Sequence, residues 1–139
     1  MNAVLQEDEM GVVAVLVAAL AGFAMGAVWY MALSKPWIQA AGIEVDETGR
    51  PKNASALPFV ISGICMILVA GMMRHIFAMA GIETVGESLV AGLGIGIFFI
   101  TPWVAMNYAY AQRPFKLTIL DGGYSILGSA VIGLVLGLF

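Results

Sequence analysis

The stretch LTILDGGYSILG, residues 117–128, carries one charge, Asp121, among apolar, small and hydroxyl-bearing neighbours. An acid in that setting has two readings. Thr118-Ile119-Leu120-Asp121 has the spacing of a capping box, in which Thr118 caps a helix and Asp121 bonds back to the Thr118 N–H. A negative charge in a first turn also suits the positive end of a helix. In the second reading the carboxylate works with polar neighbours: Asn107, Tyr108, Gln112, Arg113 and Lys116 before it and Tyr124 after it. Acids at a membrane boundary pair with a base or line a polar path, and Asp121 with Arg113 is the expected pair. Asn107 is expected to hydrogen-bond across to another helix, because a buried amide without a partner is costly. Gly122 and Gly123 are expected to leave backbone exposed beside the carboxylate.

Other chemistry is absent from the pattern. There is one cysteine, Cys65, and one histidine, His75; a single histidine cannot supply a histidine metal cluster within one chain, and no Cys–His pair is evident in the pattern. GLGIG at 92–96 lacks the GxGxxG spacing of a dinucleotide loop. No nucleophile elbow is present. The expectation is a protein that is not an enzyme, with no cofactor, no metal and no nucleic-acid partner. Thr84-Val85-Gly86-Glu87 is a second capping box, at the start of an apolar run.

The elements that must hold these residues follow from composition. Of 139 residues, 61% are hydrophobic and 11% charged, against about 25% charged in soluble domains. Four apolar stretches are each long enough for the roughly 20 residues that cross a bilayer: about 10–34, 56–80, 85–111 and 118–139. Acids, not bases, precede the first, which reads as a permanent span rather than a signal peptide. The fold class is an all-α integral membrane protein, one four-helix transmembrane domain, with the bilayer as its solvent. Lys35, Arg50, Lys52, Arg113 and Lys116 lie in loops 35–55 and 112–117, and only Arg74 lies toward the other side. The positive-inside rule makes those loops cytoplasmic and puts both termini outside, across an inner (plasma) membrane if the source is bacterial.

WYMALSKPW at 29–37 parallels NYAYAQRPF at 107–115 at a constant offset, aligning Tyr30 with Tyr108, Lys35 with Arg113, Pro36 with Pro114 and Trp37 with Phe115. Either two helical hairpins are repeated in parallel, or two helix exits converged on aromatics, a base and a helix-stopping proline. Small residues recur every four positions at Ala14, Ala18, Gly22 and Gly26, at Ser88, Gly92 and Gly96, and at Ser125, Ser129, Gly133 and Gly137. Such stripes let helices approach closely, and some are expected to face another subunit. Pro102, inside the third span, cannot donate to the Phe98 carbonyl and marks a kink or hinge.

Gly26…Trp29-Tyr30…Lys35…Trp37, then Asn107-Tyr108…Arg113…Leu117, then Asp121-Gly122-Gly123-Tyr124 together resemble the domain-of-unknown-function 1761 family of small four-span membrane proteins. Met31-Ala32-Leu33-Ser34 stands where that family usually has a glycine- and phenylalanine-rich stretch. The resemblance implies a four-helix integral membrane protein and no particular activity. The function read first is a non-enzymatic oligomeric packing or accessory subunit that docks on itself or on a larger membrane complex; the alternative is a small oligomeric transporter or channel for an ion or small solute whose cytoplasmic-side vestibule is lined by Asp121, Asn107, Tyr108 and Arg113.

Overall fold

A computed structural model describes residues Met1–Phe139. Its helices are α1 (Asn2–Ala32), α2 (Ser34–Ala41), α3 (Leu57–Ala80), α4 (Val85–Ile95), α5 (Thr101–Tyr110) and α6 (Phe115–Leu136), with a π-helical turn, Gly96–Ile100, joining α4 to α5. Four helical segments, with α4 to α5 counted as one, are long and apolar enough to cross a membrane. Only 23 of 139 residues are buried, and side chains such as Leu20, Leu68, Val90 and Phe98 are more than 60% exposed. Water would not tolerate that surface; lipid does. The chain is an integral membrane protein.

The helix ends follow local chemistry, with three departures from the sequence expectations. α1 starts well before the apolar run, carrying Glu7, Asp8 and Glu9 on its first turns. At the other end Pro36 does not stop a helix. α1 breaks at Leu33, and Pro36 lies in the first turn of α2, where its missing N–H costs no helical bond. Thr118 does not cap α6. The extended backbone at Pro114 (φ −62°, ψ 141°) starts that helix earlier, so Thr118 is buried within it and Asp121 falls in the second turn. The Thr84–Glu87 capping box is present with both of its bonds.

Before Pro102 the helix widens. The Thr101 N–H bonds the Gly96 carbonyl, five residues back, instead of one four residues back. This π turn accommodates a residue that cannot donate to Phe98.

In the loop after α2, the Asp46 carboxylate accepts the Thr48 hydroxyl (2.6 Å), the Thr48 N–H (2.8 Å) and the Arg50 N–H (3.1 Å). These bonds, that of the Thr48 side chain foremost, hold the Asp46 carboxyl below its ordinary range.

α6 is the central helix. α4 and α1 pack on its two sides, α3 packs chiefly on α1, and α3 touches α6 and α4 only lightly. The small-residue stripes make these contacts. A β-carbon on Gly92 would overlap the Ser129 carbonyl, one on Gly96 would come within 2.5 Å of Ile126 Cα, and one on Gly133 would overlap the Ser88 carbonyl. Gly137 lies against Ser88, Gly22 against Ile132, and Gly26 against Tyr124. Ala14 and Ala18 are fully buried with Ala70, Met73 and Ile132. All three stripes have partners within the chain: α6 presents Ser125, Ser129, Gly133 and Gly137 to the stripe of α4 while α1 closes its other side.

Candidate functional site

Asp121 gathers three aromatic donors from three different elements. Its Oδ1 accepts the Tyr30 hydroxyl of α1 at 2.6 Å and the Trp37 indole N–H of α2 at 3.0 Å. Its Oδ2 accepts the Tyr108 hydroxyl of α5 at 2.5 Å. An ionised carboxylate offers about four acceptor positions, so three are filled and one is free. The residue is half-buried. No base pairs with it, since the one ion pair in the chain is Lys52–Glu44 in the exposed loop. Its hydrogen-bond partners are therefore two hydroxyls and an indole N–H, with no ion-pair partner.

A second layer sets the aromatic side chains. Tyr30 meets Trp37 edge-on, with ring centroids 5.8 Å apart, and meets Tyr124 likewise at 5.4 Å. The Trp29 indole donates to the Leu120 carbonyl at 2.9 Å, and the Tyr124 hydroxyl donates to the Gly22 carbonyl at 2.9 Å. Glycines make room for these rings. A β-carbon on Gly123 would lie 2.6 Å from Trp29 Cζ2, and one on Gly26 would lie 2.8 Å from the Tyr124 ring. Gly122 is likewise covered by Thr101, whose hydroxyl donates to its carbonyl at 3.3 Å. The expected exposed backbone at Gly122 and Gly123 is thus filled by Thr101 and Trp29.

Tyr108 and Tyr124 belong to the assembly as expected, but Arg113 and Asn107 do not take their expected roles. Arg113 donates to the Ala41 carbonyl instead of pairing with Asp121. Ala41 is the last residue of α2, and the free carbonyls at a helix C-terminus attract a cation. Arg113 therefore fastens the end of α2 to the α5–α6 turn. Asn107 is exposed and faces away from the other spans. Helix phase explains the difference: Tyr108 turns inward, so its neighbour turns out. The donors that sequence reasoning missed as ligands are Tyr30 and Trp37. The signal was available, because Tyr30 aligns with Tyr108 in the internal parallel and both tyrosines bond the same carboxylate. Phe115, aligned with Trp37, has no N–H to donate and stays exposed.

Above this cluster, between α3 and the π turn, lies a cavity of about 110 Å³ lined by Met66, Ile100, Tyr124, Ser125 and Ser129, among others. The Ser125 hydroxyl donates to the Asp121 carbonyl at 3.0 Å, and the Ser129 hydroxyl donates to the Ser125 carbonyl. Both serine hydroxyls thus bond the backbone of α6 one turn back, and both residues border the cavity.

No curated protein and no solved structure matches this chain. A family model described as "Protein of unknown function (DUF1761)" matches residues 13–137. That match includes every residue of the Asp121 cluster and reaches into all four apolar segments, and the chain belongs to the DUF1761 family.

Proposed function

We propose that this protein is a small non-enzymatic carrier or channel for a monovalent cation, with Asp121 as the polar anchor of its cytoplasmic-side entrance. The observation that supports it is a carboxylate inside the fold that three neutral donors orient and no base neutralises. One acceptor position remains for a cation. Trp37 on α2 covers the site, so movement of α2 would open it. The hydroxyls of Tyr124, Ser125 and Ser129 then lead to the cavity beside α3, which has room for a few waters or one small ion. α3 meets α4 only lightly, and the π turn borders that seam.

The accessory-subunit reading drew on small-residue stripes free to dock elsewhere, and that support is gone now that they pack internally. Self-association remains part of the proposal, because four closely packed spans enclose little room and a second copy would complete the wall along α3. The orientation is the one the basic loops imply, both termini outside across an inner membrane.

The test is reconstitution into vesicles, with flux of sodium, potassium and tetramethylammonium followed in the unmodified protein and in Asp121→Asn. Flux that Asp121→Asn abolishes supports the reading. Absence of flux for all three ions in the unmodified protein refutes it.

A further inference from the structure

At the end of the molecule opposite Asp121, a groove of about 520 Å³ runs between α1 and α3. That size falls within the roughly 300–1,000 Å³ of ligand clefts. Its rim carries Asp8, Arg74 and His75, and its deeper wall carries Val15, Leu16 and Ile67. Arg74 lies between one and two turns before the end of α3 and level with Gly11 at the start of the first apolar stretch, a depth from which an arginine side chain can reach the bilayer interface. Its guanidinium rests over Gly11, where a β-carbon would lie 2.8 Å from Cζ. Glycine at that position gives the guanidinium its seat. Arg74 makes no ion pair with Asp8 or any other acid, so its planar donor fork is unclaimed. The groove joins an unclaimed cation, a separate anion and an apolar channel that opens sideways between two spans.

We propose that this groove holds one zwitterionic phospholipid of the adjacent leaflet. Its phosphate takes the Arg74 fork, its ammonium sits beside Asp8, and an acyl chain lies along Val15, Leu16 and Ile67. The charges decide between headgroups. A guanidinium alone would accept any phosphate, but Asp8 repels a purely anionic headgroup and attracts an ammonium. Only a zwitterion satisfies both. The lateral opening decides between sources, because an acyl chain enters from the bilayer without crossing water.

The test uses the full chain in discs of phosphatidylglycerol containing a small fraction of phosphatidylethanolamine, with retained lipid counted by native mass spectrometry. One phosphatidylethanolamine should stay bound. Arg74→Gln should weaken its retention about tenfold, the worth of one charge-assisted contact. Gly11→Ala should weaken it too, by displacing the guanidinium while keeping the charge. Asp8→Asn, an exposed change that does not threaten folding, should erase the preference for phosphatidylethanolamine over phosphatidylglycerol while a lipid remains bound. Uniform stripping of all lipid from the unmodified protein would overturn the proposal. So would retention unchanged in Arg74→Gln, a headgroup preference unchanged in Asp8→Asn, or a second protein copy filling the groove in place of lipid.

Discussion

Asp121 holds Tyr30, Trp37 and Tyr108 in place as much as they hold it. Removing the carboxylate and changing only its charge should therefore have different effects. Asp121→Ala leaves three donors without an acceptor and should destabilise the protein by about 2–3 kcal/mol in denaturant unfolding from micelles. Asp121→Asn keeps one oxygen for Tyr30 and Trp37, and the Tyr108 hydroxyl can turn to accept from the new amide; its cost should be about 1 kcal/mol. Asp46 makes a separate pH prediction. Its carboxyl titrates lower in the folded loop than in a free chain, so its hold on Thr48 and Arg50 is complete above the ordinary value of 3.8 and is lost as pH falls through the depressed folded value. Acidification below 3.8 should raise amide exchange at Thr48 and Arg50, beyond the intrinsic pH dependence, before it disturbs the spans.

At the scale of the element, Thr84 and Thr118 separate a true cap from an apparent one. Both begin a Thr-x-x-acid pattern. Thr84 caps α4, whereas Pro114 places Thr118 inside α6. Thr84→Val should cost about 1 kcal/mol and Thr118→Val, at a buried residue with no side-chain hydrogen bond to lose, less than about 0.5 kcal/mol, compared by thermal unfolding of the two variants. Sequence reasoning located the spans, because a long apolar run has one economical fate in a bilayer. It misplaced ends where two signals competed: a proline that could stop a helix or start one at Pro36, and a cap residue downstream of a proline at Thr118. It overlooked α2, which is too short for a periodic signal. With α2 it lost Trp37 as a ligand and Ala41 as the partner of Arg113, since no side-chain pattern advertises a carbonyl acceptor. Asp121 itself was legible, as a charge where none is expected. Of its donors, Tyr108 was legible as a neighbour and Tyr30 through the internal parallel, whereas Trp37 was not, because its partner in that parallel is a phenylalanine with no N–H to donate.

For the whole molecule, the arrangement around α6 assigns the glycines to folding. Gly92 and Gly133 face backbone carbonyls, which cannot swing aside as a flexible side chain could. Gly92→Leu or Gly133→Leu should thus destabilise the monomer itself by about 3 kcal/mol or more, not merely change its association state; unfolding and native mass measured together distinguish the two. The same arrangement leaves α3 the most loosely attached span, beside the cavity that the carrier reading requires. That reading turns on whether the carboxylate is an accessible site or a sealed clamp. The direct measurement is the infrared carboxylate band of Asp121, isolated as the difference between the unmodified protein and Asp121→Asn at neutral pH while sodium, potassium or tetramethylammonium is added. A saturable shift with at least one of these cations is the predicted result. A band that none of them moves would mean that Asp121 only fastens the helices together, and it would contradict the proposed function.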